Sequence, residues 1–262
     1  MAPIWKTHLG HAVQYDAQYH DNTRVEIGSF ISESPTLVLD VGCGGGATGK
    51  LIKEKFPGAR IVGIESNPQA ADHAREFLDD VICGDLHEAP IPARLGNARI
   101  DLVLLLDVLE HLFDPWRALE RIRSWLTPAT RVLASIPNVR NLATLDDLAA
   151  GHWRYEANGV LDITHVRFFT KASLRELFED TGYDIVDMQP LLRPELMDSR
   201  VVARRPGQLV TRHLTIDFQD LEDLEDLYAL QYVIDARVSA VAHRTSGPGG
   251  NGRLAELGFQ GR

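Results

Sequence analysis

The chain is poor in cysteine, with Cys43 and Cys83 alone among 262 residues. A disulfide framework of the kind that staples small secreted domains needs more thiols than that. The two fall at the ends of the expected first and third strands; with the second strand between them they lie two strand spacings, roughly 9 to 10 Å, apart. That gap is too wide for a disulfide, so two reduced, buried thiols are expected. Positive charge is also scarce: 27 Lys and Arg stand against 37 Asp and Glu, a net charge of −10. Phosphate backbones are held by clustered Lys and Arg, so no nucleic-acid partner is expected. No apolar run approaches membrane-spanning length, and Met1–Gly10 lacks the charged start, apolar core and small-residue cleavage site of an export signal. The expectation is a cytoplasmic chain without membrane contact. Internal repeats are lacking, and no local spacing such as His-x-x-x-His demands a metal.

What is present is an ordinary globular composition, 44% hydrophobic and 24% charged, long enough for one well-buried α/β domain with insertions. The chain is organised around Leu37–Gly46, Leu-Val-Leu-Asp-Val-Gly-Cys-Gly-Gly-Gly. An apolar run ending in glycines reads as a buried parallel strand that turns sharply into a helix starting near Ala47. Gly42, Gly44 and Gly46 let a ligand approach the backbone, and the free N–H groups of the helix start suit an anion. The glycine spacing alone also fits a dinucleotide fingerprint. Asp40 weighs against that, because a carboxylate two residues before the turn opposes a pyrophosphate and favours a ligand carrying an ammonium and a sulfonium.

Strands and helices then alternate. A helix runs from Ala47 to Phe56 and stops at Pro57-Gly58; strand two spans Arg60–Ile64. Glu65 follows, about twenty residues past the glycines, where Rossmann-type folds place an acid that binds ribose hydroxyls. Asn67-Pro68 opens a helix expected to reach Leu78. Strand three is Val81–Cys83, with Gly84-Asp85 past its end, and Ile100–Leu106 is the central fourth strand. Asp114-Pro115 caps a helix to Leu126, and Arg131–Ile136 is the fifth strand. This order implies a parallel sheet with helices on both faces, and ligands bind such sheets at the carboxyl ends of the strands. Asp40, Glu65, Asp85, Asp107 and Asn138 all fall there. After Val139 come a helix over Leu142–Ala150, a polar and aromatic stretch at 151–170 with the composition of a binding loop, a helix capped by Thr170, and a sixth strand at Tyr183–Met188. The acidic run Asp217–Asp226 reads as a solvated helix face, Gln231–Val238 as the last strand, and Ser246–Gly252 as a flexible tail.

The stretch Leu37–Gly46 resembles motif I of the class I S-adenosylmethionine-dependent methyltransferases, and Asp107-Val-Leu-Glu-His111 resembles the Asp-x-x-Glu-His signature of a broad subgroup of them. Leu161-Asp-Ile-Thr-His-Val-Arg-Phe-Phe-Thr170 is similar to a motif of bacterial members associated with polysaccharide and glycan assembly. The resemblance implies a Rossmann-like, seven-stranded, mostly parallel sheet whose last strand inserts antiparallel between the fifth and sixth, with an acceptor-binding insertion at about 139–170. The expected layout is a helical cap at 1–35, the methyltransferase domain at 36–242 and a tail at 243–262.

It also implies S-adenosyl-L-methionine as cofactor, S-adenosyl-L-homocysteine as product, and cofactor contacts from Asp40, Gly42, Gly44, Gly46, Glu65, Ser66, Asp85, Leu86, Asp107 and a leading-segment aromatic, Tyr15 or Tyr19. The acceptor is expected to be a small molecule, a sugar or nucleotide sugar, methylated on a hydroxyl. Trp153 and Tyr155 are placed to stack on a ring, and Asn138, Arg140, Arg154 and Arg167 to hold its polar groups. His165 is the expected general base, oriented by Asp162, with His111 in reserve. Three other readings stay open: an N-methyltransferase of a small amine, an NAD-dependent oxidoreductase, and a binding module without turnover. The oligomeric state is not legible in the sequence.

Overall fold

The computed structural model describes residues 16–96, 98–192 and 207–240, together with Ile4 and Leu9. Two short helices lead, α1 (Ala17–His20) and α2 (Ile27–Phe30). Tyr15 and the expected tail lie outside the described residues, as does the side chain of Tyr19. The alternating part follows as β1 (Leu37–Val41), α3 (Ala47–Lys55), β2 (Arg60–Glu65), α4 (Pro68–Ala74), β3 (Asp80–Cys83), α5 (Ile91–Leu95), β4 (Leu102–Leu106), α6 (Pro115–Arg123) and β5 (Arg131–Pro137). Then come α7 (Leu142–Ala149), α8 (Lys171–Asp180), β6 (Tyr183–Leu192), β7 (Gln208–Val210), β8 (Thr215–Asp217), α9 (Leu221–Tyr228) and β9 (Ala229–Val238).

Seven strands form one sheet in the order β3-β2-β1-β4-β5-β9-β6, parallel except for β9, which runs antiparallel to both of its neighbours. This is the expected Rossmann-like arrangement. Successive residues of β1 serve opposite layers. Leu37, Leu39 and Val41 join the core made with α6 and α8, while Val38 joins the one made with α2, α3 and α4. A strand covered on both faces is apolar almost throughout, which is why β4 reads as an unbroken run and β1 as one broken only by Asp40.

The local signals that set the helix starts are satisfied side chains. Asn67 caps α4 through the N–H groups of Gln69 and Ala70, Asp114 caps α6 through Arg117, and Thr170 forms a capping box with Ser173. Several expectations are corrected. Helix α4 ends at Ala74, not Leu78, because Leu78 turns into the core and Asp79 pairs with the sheet: its N–H donates to Ile61 O at 3.0 Å and its carboxylate accepts from Ile61 N at 2.7 Å. Both cysteines are free, but only Cys43 is buried; Cys83 is exposed at the end of the edge strand. The acidic run is not wholly solvated. Helix α9 seats Leu227 against Leu142 and Leu209 in a third small core, and that packing buries Asp226. The β7–β8 hairpin beside it has no counterpart in the sequence reading.

A glycine in the interior of β2 marks a tight fit rather than a weak strand. A Cβ added at Gly63 would lie 2.5 Å from Cys43 Sγ and 2.9 Å from Leu78 Cδ1. Gly63→Ala is therefore expected to lower unfolding free energy by about 1–3 kcal/mol through overpacking. Adding Cys43→Ala should recover part of that loss in denaturant melts, and a double-mutant cycle with no coupling would place the strain elsewhere.

Candidate active site

The glycine turn after β1 is fastened to the neighbouring strand: the N–H groups of Gly42 and Cys43 both donate to Ile64 O, at 2.8 and 3.1 Å. Gly44 has φ +54°, and a Cβ there would fall on the carbonyl oxygen of His20, so the leading segment lies directly against the turn. Gly45 N–H donates to that same oxygen at 2.9 Å. Gly46, φ +84°, packs against Ala74 of α4 and starts α3. Only glycine tolerates both the left-handed backbone and these approaches.

Four acids come to this edge. Asp40, paired in register with Gly63 of β2 and Leu104 of β4, is 3% exposed, and its Oδ2 is buried without a hydrogen-bond partner. Burial, aided by the nearby Glu65 carboxylate, pushes Asp40 up to about 7. Glu65 is braced: Oε2 accepts from Gly44 N at 2.9 Å, and Oε1 from Asn67 N at 2.7 Å and Ser66 Oγ at 3.4 Å. Ser66 itself is exposed. Asp85 is exposed and forms a local turn, accepting from His87 N at 2.6 Å, while the Leu86 side chain is in the core. Asp107 sits at φ +54°, the one positive φ outside glycine among the described residues. Its carboxylate pairs with Arg24 and accepts from Ser135 Oγ at 3.0 Å and Gln231 Nε2 at 2.8 Å. Three strand ends and the leading segment thus meet on one side chain. Sequence reasoning missed Arg24, Ser135 and Gln231, which carry no motif.

A 3₁₀ turn, Leu109–His111, follows Asp107 and carries Glu110 and His111. The 151–170 segment docks on it: Val166 and Arg167 N–H groups donate to Glu110 O at 2.9 and 3.0 Å. This brings His165 over His111, ring centroids 4.7 Å apart and edge to face, with His165 Nε2 4.0 Å from Glu110 Oε1. His165 Nδ1 lies 3.1 Å from Val160 O, and His111 Nδ1 lies 3.3 Å from Thr164 O. Burial raises Glu110 to about 8, lowers His111 to about 4 with help from His165, and lowers His165. Both imidazoles are accordingly neutral at pH 7. Trp153 and Tyr155 are partly exposed beside this cluster's segment, Trp153 stacking edge-on to Phe168 at 5.0 Å.

Other expected acceptor residues are spent inside the protein. Asn138 is fully buried; its Nδ2 donates to Asp226 O and Ala229 O at 2.7 and 3.1 Å, and its Oδ1 accepts from Arg140 N at 3.0 Å. Arg140 is ion-paired to Asp223 and Asp226, so its guanidinium is already matched by two carboxylates. Arg167 donates to Phe113 O and lies 5.9 Å over the Trp116 ring. Asp162 does not bond the His165 imidazole; its Oδ1 accepts from the N–H and hydroxyl of Thr164 at 2.8 and 2.7 Å. It acts on His165 through its charge, which favours the imidazolium.

Comparisons with known proteins agree with this geometry. A family model described as a methyltransferase domain matches residues 14–188. A probable S-adenosylmethionine-dependent methyltransferase of Mycolicibacterium smegmatis is 28% identical over 152 residues, 57% of this chain and 52% of that one. A ubiquinone biosynthesis O-methyltransferase of Cereibacter sphaeroides is 27% identical over 161 residues, 59% of this chain and 63% of that one. A solved S-adenosylmethionine-dependent methyltransferase from Archaeoglobus fulgidus shares the fold, with TM-score 0.58 at 19% identity, covering 84% of this chain and 97% of that one. The matched stretch spans between 32% and 63% of the length of such curated relatives. With the family model covering well over half of its length, the chain belongs to the S-adenosylmethionine-dependent methyltransferase-domain family.

Proposed function

We propose that this chain transfers the methyl group of S-adenosylmethionine to a hydroxyl of a small acceptor, a sugar or glycan-related metabolite such as a nucleotide sugar. The observation that carries the cofactor half is Asp40. A buried carboxylate with an unpartnered oxygen is costly, and a ligand bringing positive charge to the glycine turn supplies what it lacks. Glu65 and Asp85, at the next two strand ends, are assigned to the ribose and the adenine, and Asp107 and the leading segment to the methionine part. An anionic dinucleotide would instead face Asp40, Glu65 and Asp107 together, which disfavours the oxidoreductase reading.

Held by Asp40, the glycine turn, Glu65 and Asp85, the cofactor would supply an electrophilic methyl carbon for the acceptor oxygen, its sulfur leaving as a neutral thioether. The chain's own work is placement and proton removal. Neutral His165, with Nδ1 turned to Val160 O, keeps Nε2 as the lone-pair nitrogen that takes the hydroxyl proton, and the Asp162 charge favours the resulting imidazolium. Trp153 and Tyr155 offer faces on which a sugar or base can stack. The similarity to an O-methyltransferase supports an oxygen acceptor.

Asp40 sets a pH dependence. Its carboxyl, near 7 in the free protein, is driven toward ionisation by a cationic ligand, so binding releases a proton below that pH. Affinity for S-adenosylmethionine should therefore rise from pH 6 to pH 8, by at most about tenfold per unit below 7. Calorimetry in two buffers measures both affinity and proton release, and Asp40→Asn should flatten the profile. A wild-type profile without slope would remove Asp40 from the ligand's charge.

His165→Ala should reduce kcat by roughly 10² to 10⁴ with S-adenosylhomocysteine affinity kept. Near-normal turnover would turn the assignment toward an amine, which presents a lone pair without a base. Trp153→Ala and Tyr155→Ala should raise the acceptor KM and spare cofactor binding, whereas loss of folding in both would make these rings structural.

A further inference from the structure

Away from the glycine turn, the described residues bring together Glu110, His111 and His165 as a group of His and carboxylate side chains that could hold a metal ion. One ligand-type atom of each lies within 4.8 Å of the other two. Glu110 is 1% exposed, and neither of its carboxylate oxygens has a hydrogen-bond partner. A buried carboxylate facing two imidazoles with nothing to accept from is an incomplete arrangement. The outer sides of the rings are complete. His165 Nδ1 faces Val160 O at 3.1 Å and His111 Nδ1 faces Thr164 O at 3.3 Å, so each ring can spend its one N–H on a backbone carbonyl and keep a lone pair on Nε2. That outward hydrogen bond to a carbonyl is what fixes the tautomer and orientation of metal-bound histidines.

From this geometry we propose that Glu110, His111 and His165 bind one divalent transition-metal ion of the zinc type. Two imidazoles and a carboxylate match the donor preference of Zn²⁺, and three protein ligands leave a tetrahedral ion one position for an oxygen ligand. Donors about 2.0–2.1 Å from such an ion sit roughly 3.3 Å apart, so closing onto it asks for side-chain shifts of about an ångström. No local spacing announces the site, because His165 is far from Glu110 and His111 in sequence and arrives only when the 151–170 segment docks on the Glu110 carbonyl. The inference rests on the acceptor-side placement given under the proposed function. The two roles of His165 Nε2 exclude one another, since an ion there takes the lone pair assigned to the acceptor's proton, so stoichiometric zinc binding would also remove His165 as the general base.

The test uses the purified full chain, stripped with a chelator and desalted, then titrated with ZnCl₂ by calorimetry and with CoCl₂ by visible absorption. The expected result is one ion per chain and the intense ligand-field band of four-coordinate Co²⁺. Glu110→Gln and His165→Ala should each weaken binding by more than the 10–100-fold typical of losing an outer hydrogen-bond partner, with melting temperature and S-adenosylhomocysteine affinity unchanged. His111→Ala stands in if either variant fails to fold. Absence of stoichiometric binding, or binding that survives all of these substitutions, overturns the proposal. Zinc bound with no affinity for S-adenosylhomocysteine would overturn the methyl-transfer reading and leave this one standing; the reverse result would do the opposite.

Discussion

Burying carboxylates at the carboxyl edge of a parallel sheet is the constraint on which the rest of this structure turns. Asp40 and Glu110 are both nearly inaccessible and both carry oxygens without partners. A fold shaped for stability alone would place apolar residues there, since unpaired buried charge costs several kcal/mol. Burial raises both carboxyls, Asp40 to about 7 and Glu110 to about 8, which lessens the charge each carries near neutrality. Glu65 and Asp107, at neighbouring strand ends, are treated differently. Backbone N–H groups, Ser135, Gln231 and Arg24 satisfy them, so they brace the loops while the other two wait for something from outside.

The bracing is what makes the edge a site rather than a row of turns. Glu65 ties the glycine turn to the start of α4, and Asp107 ties β4 to β5, β9 and the leading segment. Its left-handed backbone persists because four partners determine it. The antiparallel insertion of β9 has a direct part in this, since Gln231 lies on it opposite Pro137. Farther along, Asn138, Arg140, Asp226 and Tyr232 form a network that fixes α9 against β9 and the turn after β5.

The legible part of this structure is the part coded by neighbours in sequence. Asp40 and the glycines declare a strand, a turn and a helix start within ten residues, and Asn67-Pro68, Asp114-Pro115 and Thr170 declare helix starts by chemistry that acts over three residues. Strand periodicity gave the sheet because a strand covered on both faces cannot hide its composition. The opaque part is coded by pairs brought together from afar. Arg140 looks like an anion ligand until Asp223 and Asp226, more than eighty residues later, are found against it. Asn138 sits where strand-end ligands sit, yet Asp226 and Ala229 take its Nδ2 and the Arg140 N–H takes its Oδ1. Asp162 and His165 are close enough in sequence to suggest a dyad, and the turn between them instead satisfies Asp162 with Thr164.

The two unsatisfied carboxyls ask for different partners, and the difference separates the two halves of the site. Around Asp40 lie a second carboxylate, Glu65, and the glycine turn that follows Asp40 in sequence, a setting that suits a ligand bringing positive charge. Around Glu110 the neighbours are two neutral imidazoles with their outer nitrogens committed to carbonyls, a compact set in which neither carboxyl oxygen has a hydrogen-bond partner. A proton shared with an acceptor oxygen or a small cation completes that set, and either one joins the 151–170 segment to the turn after β4, beside the strand ends assigned to the cofactor.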